Sequence, residues 1–524
     1  MYIEPNTVIR LLKNCPLDNT YDHTIYFSGV EAQVEYFSSL TKYTLTQQTY
    51  QRVNRSRMRV QYKADNLYDC NYLMFQNTNF GNKWFYAFIK SVEYVNNITS
   101  EIEYEIDVMQ TWAFDYQLGQ CFVDREHAVT DNVGDNLVPE NLEHGEYVTT
   151  GVTTPEPLNE LALIVAATFD ENYNDKAINF YSGLYSGLHF NVFTNDTAGA
   201  VLAGQFIQNA GAKSDGIVGV FVAPRAMFSD GAPKNYEVLI KKFNALTRSN
   251  GAVVKNNKML TYPYNFLYVT NQQGNSAFYR YELFDGERCK FTYTGDMSMS
   301  PSVVIAPNDY KGVSGTNYDE KMVLSGFPQL PYNTDAFKAW LAQNGNSLAL
   351  DALSTALSGG FGIANSAINQ QFAKAKKRQA YASLDAAQAV SSPLLAVAGT
   401  LGTILQHSMQ PYQAKGGGGS QVFAALGLLN FLFMHKHIQP QFVDIIDDYF
   451  NMYGYATHRV KVPNRNVRPY WTYTKTIGCV IHGSVPCDDM SKICSIFDNG
   501  ITFWTSGANI GNYSLDNRPK GGAE

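Results

Sequence analysis

Between Asp351 and Lys374 no side chain is charged, and the stretch "ALSTALSGGFGIANSAINQQFA" is mostly Ala, Ser, Gly, Leu and Ile. A basic cluster follows at Lys374, Lys376, Lys377 and Arg378. Ala386–Ala414 and Gln421–Met434 are then again free of Asp, Glu, Lys and Arg. The chain as a whole is 17% charged. A tract this long and this poor in charge is not ordinary solvated surface. Residues 346–438 therefore read as an insertion of different physical character from its surroundings. Before it, Thr334 is placed to cap a short connecting helix over 334–345, "DAFKAWLAQ".

Inside the insertion, Ser392 caps a helix with Pro393 at its first position, "PLLAVAGTLGTILQHSM". Gly416, Gly417, Gly418 and Gly419 then precede a second apolar run, Gln421–Ile438. GGGGS has the composition of a flexible linker and of a loop between helices. A hinge is the third reading, since glycine adopts conformations closed to other residues. Runs of about 17–18 residues span roughly 25–27 Å as helix, against about 30 Å of bilayer hydrocarbon. Asn365, Asn369, Gln379, Gln388 and Gln406 make the tract amphipathic. It suits a helical hairpin buried in protein, or a segment that enters a membrane on demand. The small residues of "SGGFGIANSA" allow close helix packing in either setting.

The rest of the chain is patterned as β. In "SEIEYEIDVMQTW", Ile102, Tyr104, Ile106 and Val108 fall on one face and Glu101, Glu103, Glu105 and Asp107 on the other. "NKWFYAFIKSVEYV" is nearly continuous in apolar character and predicts a strand buried on both faces. "ELALIVAATF", "DGIVGVFVAP", "YNFLYVTN", "AFYRYELF" and "CKFTYTG" are short strands punctuated by Asn, Gly, Asp and Pro. Asn271–Ser276 predicts a hairpin turn. "FVDIIDDYFNMYGY" predicts an amphipathic helix ending at Gly454. Asp498, Asn499 and Gly500 predict a hairpin between two apolar arms. The 35 Tyr and 31 Phe agree with β-structure. The length points to roughly two to four domains.

Several functions are disfavoured. A net charge of −7 argues against a protein that grips nucleic acid through its phosphates, though not against one that lets it pass. There is no P-loop, dinucleotide fingerprint, HExxH or GxSxG motif, so no enzyme is expected. The 7 cysteines are scattered and odd in number, which predicts free thiols. Cys479, His482, Cys487 and Cys494 lack a C-x-x-C pair and are read as buried small side chains; no metal or cofactor is expected. The N-terminus has no apolar core for a signal peptide, so the mature chain is expected to begin at Met1.

"FGNKWFYAFI" (Phe80–Ile89), "EIDVMQTWAFD" (Glu105–Asp115), "VDREH" (Val123–His127), "KMLTYPYN" (Lys258–Asn265), "AQNGNSL" (Ala342–Leu348), "YGYATHRVKVPN" (Tyr453–Asn464), "IFDNGITFW" (Ile496–Trp504) and "NIGNYSLDN" (Asn509–Asn517) occur in an order that resembles one family. These are the tail knob, or distal tail tube, proteins of small podoviruses of Gram-positive bacteria (Salasviridae/Picovirinae type). The resemblance is good over 1–150 and 440–524, thinner over 258–348 and poor over 151–257.

It implies a mainly β, multi-domain barrel or sandwich protein that forms a hexameric ring. The tail-tube domain would comprise 1–150 and 439–524, with β-rich body domains at 151–333. The implied partners are further copies of itself in a homo-hexamer and other tail proteins (lower collar or tail tube). Double-stranded DNA would pass through the lumen, and the host cytoplasmic membrane would be the target. The protein would be made in the host cytoplasm and sit at the tail tip of the virion.

In this family an apolar loop plugs the lumen and then forms a membrane channel. By position and composition the insertion takes that role. Its expected apolar contacts are Phe361, Ile363, Leu394, Leu395, Val397, Leu401, Ile404, Leu405, Phe423, Leu426, Leu428, Leu429, Phe431, Leu432 and Phe433. Glu101, Glu103, Glu105 and Asp107 become candidates for lining the lumen, where they would repel phosphates. His407, His435 and His437 are candidate acid sensors. A host-binding adhesin or a cell-wall hydrolase is the alternative, but no catalytic constellation supports the hydrolase.

Overall fold

The computed structural model describes residues 6–48, 56–169, 430–516 and, with short gaps, 176–330. The expected helix over 334–345, the Gly416–Gly419 hinge and the apolar contacts from Phe361 to Leu429 lie outside the described residues. The chain divides into two compact units. The first is Met1–Gly145, Leu246–Met259 and Gln439–Glu524; the second is Glu146–Ala245 and Leu260–Ile438.

The first unit is built on a six-stranded sheet ordered Thr41–Gln48, Thr7–Lys13, Cys70–Gln76, Trp84–Asn96, Thr99–Ile106 and Arg57–Val60. Strand alternation sends successive side chains to opposite faces, and both faces are covered. Tyr72, Met74, Tyr86 and Phe88 join one core with Leu12, Phe37, Ile493 and Phe497. Leu73, Phe75, Ala87, Ile102 and Tyr104 join another with Ile9 and Leu11. This explains the continuous apolar run at Trp84. Double burial covers only Tyr86–Phe88, however; from Tyr94 to Asn96 the same strand is exposed, because it has run past Cys70–Gln76 and pairs only with Thr99 and Ser100. A five-stranded sheet in this unit is ordered His23–Ile25, Ile501–Trp504, Trp471–Ile477, Cys121–Glu126 and Tyr455–Lys461.

The helix Pro440–Tyr453 ends at Gly454 as expected. Its φ is 66°, and a Cβ there would sit 2.2 Å from the Glu126 carbonyl oxygen, so only glycine fits. Asp498–Gly500 is not a hairpin. Cys487–Asn499 is a helix that buries Ile493, Ile496 and Phe497, and Gly500 at φ 95° ends it before Ile501–Trp504.

Among the described residues the second unit contains three sheets. One is ordered Lys176–Tyr181, Leu184–Phe193, Leu161–Ala167, Ile217–Pro224 and Gln329–Leu330. Another runs Asn235–Lys241, Arg288–Asp296, Ser302–Tyr310 and Val313–Thr316. The third is Tyr147–Thr153, Leu432–Ile438, Asn265–Thr270 and Ser276–Tyr279. The turn at Asn271–Asn275 joins the last two strands as predicted, with Asn271 Oδ1 accepting from the amides of Gln273 and Asn275 at 2.8 and 3.1 Å.

The third sheet corrects the expected end of the insertion. Phe431, Leu432 and Phe433 are not part of an apolar helix or loop. Leu432–Ile438 is a β-strand held on both edges, pairing Phe433 with Thr153 on one side and Val269 on the other. Phe431 and Phe433 are 0% exposed, in one core with Leu267, Val269 and Phe291. An apolar run by itself does not distinguish helix from buried strand; here the two flanking strands decide it.

Candidate functional site

The charge-poor tract is flanked by two described segments of the second unit, Gln329–Leu330 before it and Asn430–Ile438 after it. On the outgoing side, Gln329 and Leu330 pair with Phe221 and Val220 of the Ile217–Pro224 strand. On the return side, Asn430 is buried at 4% exposure and acts as a clamp. Its side-chain Nδ2 donates to the Pro155 carbonyl at 3.2 Å and to Asn159 Oδ1 at 2.6 Å. Its Oδ1 accepts from the Phe431 amide at 2.7 Å, and Gln272 Nε2 donates to its carbonyl at 3.2 Å. Each buried polar atom thus has a partner, as burial requires. The ring of Phe433 then meets Phe291 edge-on at 5.1 Å. The return end is locked at Asn430, eight residues short of the boundary read from composition.

His435 and His437 lie on this anchoring strand. His435 is buried; the Tyr281 hydroxyl lies 2.5 Å from its Nδ1, and the two rings stack at 19°. Burial, reinforced by Lys241, pushes its pKa below the ordinary value, so the ring is neutral and the hydroxyl donates. His437 Nδ1 lies 2.5 Å from the Ile438 carbonyl, and burial lowers its pKa as well. His407 lies outside the described residues.

The acidic row is less uniform than its alternation suggested. Asp107 is not on the outer face. It is 1% exposed and caps the short helix Val108–Thr111, accepting from the amides of Met109 and Gln110 at 3.0 and 3.1 Å. Tyr72 donates to its other oxygen at 2.8 Å. Burial pushes its pKa up to about 6. The strand ends at Ile106, and the change from strand to helix turns the next side chain inward.

Glu101, Glu103 and Glu105 do face outward, but against cations that the alternation alone did not reveal. Arg57 and Arg59 of the neighbouring strand stand opposite Glu103 and Glu101. Arg59 Nε reaches Glu101 at 2.9 Å, and Arg57 reaches Glu101 and Glu103 at 3.3 and 3.4 Å. Glu105 pairs with Lys90 at 3.2 Å and with Lys492. The hydrogen bond from Arg59 holds the Glu101 carboxyl below its usual range. The outer face is a mixed-charge ladder, not a negative strip. "RMR" at Arg57–Arg59 was the available signal, but only strand pairing shows which acids it meets.

All 7 cysteines are free thiols. Among the described residues no cluster of three or more His, Cys, Asp or Glu side chains is arranged to hold a metal, and no helix is long and apolar enough to cross a membrane.

With this architecture in view, comparison with known proteins is decisive. Residues 227–518 match the family model for the C-terminal domain of the Bacillus phage phi29 tail knob protein gp9. The chain belongs to the tail knob protein gp9 family. Residues 5–117 also match the model for the N-terminus of caudoviral major tail proteins. The tail knob protein gp9 of Bacillus phage PZA is 26% identical over 98% of both chains, and that of Bacillus phage phi29 is likewise 26% identical over 98% of both. The solved structure of the bacteriophage C1 tail knob protein gp12 matches with a TM-score of 0.59 at 14% identity, covering 98% of this chain and 99% of that one. The last likeness is one of fold. This tail knob protein is a structural component of the phage tail in the virion, and its relatives are not enzymes.

Proposed function

We propose that this tail knob protein assembles as a homo-hexamer into the distal tail tube, joined to the other tail-tube or lower-collar proteins. Double-stranded DNA passes through the ring during ejection. The charge-poor insertion plugs the lumen and then enters the host cytoplasmic membrane as a channel. One observation carries this reading. A tract nearly without charge is rooted in a single folded unit, tied on one side by the Gln329–Leu330 pairing and on the other by Asn430 and Phe431. Such a root allows the insertion to change its surroundings while the β body stays folded. Amphipathic runs rich in small residues suit that double duty, since a uniformly apolar span aggregates before assembly.

The acidic row keeps a modified role within this proposal. Glu101, Glu103 and Glu105, matched by Arg57, Arg59 and Lys90, offer passing phosphates neither a strong trap nor a strong barrier. The Lys374–Arg378 cluster stays on one side of the membrane, near acidic headgroups.

The test removes residues 346–429 and leaves Asn430 and the Leu432–Ile438 strand intact. Dye release from liposomes is measured at pH 7.5 and pH 5, and ring formation by negative stain. The expected result is leakage with the full chain, none with the deletion, and rings from both. Equal leakage from both proteins, or none from either, overturns the membrane role; monomers in place of rings overturn the tube. Replacing Gly416–Gly419 by alanine favours continuous helix and is expected to reduce leakage. Unchanged leakage rejects the hinge.

A further inference from the structure

Within the first unit the strand Cys121–Glu126, second from one edge of the five-stranded sheet, is irregular on both sides at one residue. Against Tyr455–Lys461 the pairing runs from Ala456↔Arg125 directly to Arg459↔Val123. Against Trp471–Ile477 it runs from Lys475↔Arg125 to Thr476↔Val123. Asp124 is skipped on both sides. His458, opposite it, has φ 47°, a left-handed conformation unusual for a residue with a Cβ. Bulges re-aim side chains and recur beside binding sites.

These bulges border a cleft of about 490 Å³ lined by Asp124, His458, Lys475, Tyr449, Tyr453 and Tyr473, among others. That volume falls in the range of small-molecule sites, about 300–1,000 Å³. The three tyrosines form one aromatic wall: Tyr449 and Tyr453 centroids are 5.2 Å apart, and Tyr453 meets Tyr473 edge-on at 5.1 Å. Arg125 lies 4.7 Å from the Tyr449 ring and Glu140 is held by Lys258 at 2.6 Å, so these two brace the wall.

The polar groups at the mouth are less committed. Asp124 faces His458 at 3.5 Å and Lys475 at 3.7 Å, too long for strong hydrogen bonds. Among the described residues, the hydroxyls of Tyr449, Tyr453 and Tyr473 make no hydrogen bond.

We propose that this cleft is a saccharide site. A short neutral glycan lays the C–H face of a ring on the tyrosine wall and exchanges hydroxyl hydrogen bonds with Asp124, Lys475 and the hydroxyls of Tyr449 and Tyr453, while the Tyr473 hydroxyl packs against Gly500. The charges favour a neutral ligand, because Arg125 and Lys475 offset Asp124 and Glu140. Aromatic rings supply contact area at little conformational loss, and the bulged carboxylate supplies a directional acceptor.

Isothermal titration of the whole chain with N,N′-diacetylchitobiose and with maltose tests this, with glucose 6-phosphate as charged control. At least one of the two neutral disaccharides is expected to bind. Its affinity falls at least tenfold in Asp124→Asn, which keeps the side chain's shape, and in Tyr453→Ala, at a residue 38% exposed. Tyr94→Ser, on the exposed end of its strand, leaves affinity unchanged. Thermal melts of each variant separate lost binding from lost fold. Failure of both disaccharides to bind the unaltered chain overturns the proposal, as does tighter binding of glucose 6-phosphate or unchanged affinity in both cleft variants.

Discussion

Two strands of this tail knob protein handle polar side chains in opposite ways. Thr99–Ile106 sets Glu101, Glu103 and Glu105 outside, each met by an arginine or lysine in water. Leu432–Ile438 draws His435 into the core and stacks it on Tyr281. The first arrangement tolerates exchange, because exposed ion pairs contribute little and are screened by salt. The second does not, because a buried ring must stay neutral and hydrogen-bonded. The strand that roots the insertion is therefore the more sensitive of the two, both to substitution and to acid.

The sharpest break of this contrast is Phe433→Ala. Its ring is fully buried against Phe291, so truncation costs about 3–5 kcal/mol, read as a lower urea midpoint for the second unit. A loss no larger than that from Glu103→Gln contradicts the ranking.

Next in size is Asp107, the acid that left the outer row. Asp107→Ala removes a helix cap and leaves Tyr72 without its acceptor, a loss of about 1–2 kcal/mol. Its folded pKa of about 6 lies above the unfolded 3.8, so burial penalises the charged form. The associated stability is present below about 3.8 and is lost as pH rises through about 6. Asp107→Asn, which can still cap, is expected to flatten thermal stability between pH 4 and pH 6. A profile identical to the unaltered chain rejects this assignment.

His435 has the opposite sign. Its folded pKa lies below the unfolded 6.5, so its contribution is present above 6.5 and is lost as pH falls. The melting temperature of the second unit is expected to drop on acidification from pH 7.5 to pH 5, and less so in His435→Gln. Equal drops in both proteins place the acid sensitivity elsewhere. The smallest effect is expected from Arg57→Ala. Exposed pairs of this kind contribute little, and the difference vanishes in 1 M salt. A salt-independent loss means that Arg57 packs more than it pairs.

Legibility followed how local the cause was. The helix ending at Gly454 was readable because its apolar spacing and its glycine stop lie within one segment. The turn at Asn271–Asn275 was readable for the same reason. Gly500 misled because a hairpin turn and a helix end both need a positive φ, and the residues around it fit either. Asp107 misled because alternation continues on paper after the strand has stopped. The cleft at Asp124 left no trace in the sequence, since a bulge is a relation between three strands.

Composition and periodicity by themselves determined a mainly β chain interrupted by one charge-poor tract, and ordered segments along it pointed to the tail knob family. Both are properties of side chains and their order, independent of which strand lies beside which. Only the tertiary structure decided that Phe431 and Phe433 belong to the body, that Asp107 is a buried cap, and that the outer glutamates are paired by Arg57, Arg59, Lys90 and Lys492. Burial and charge pairing depend on neighbours distant in sequence, and those neighbours are fixed by the sheet.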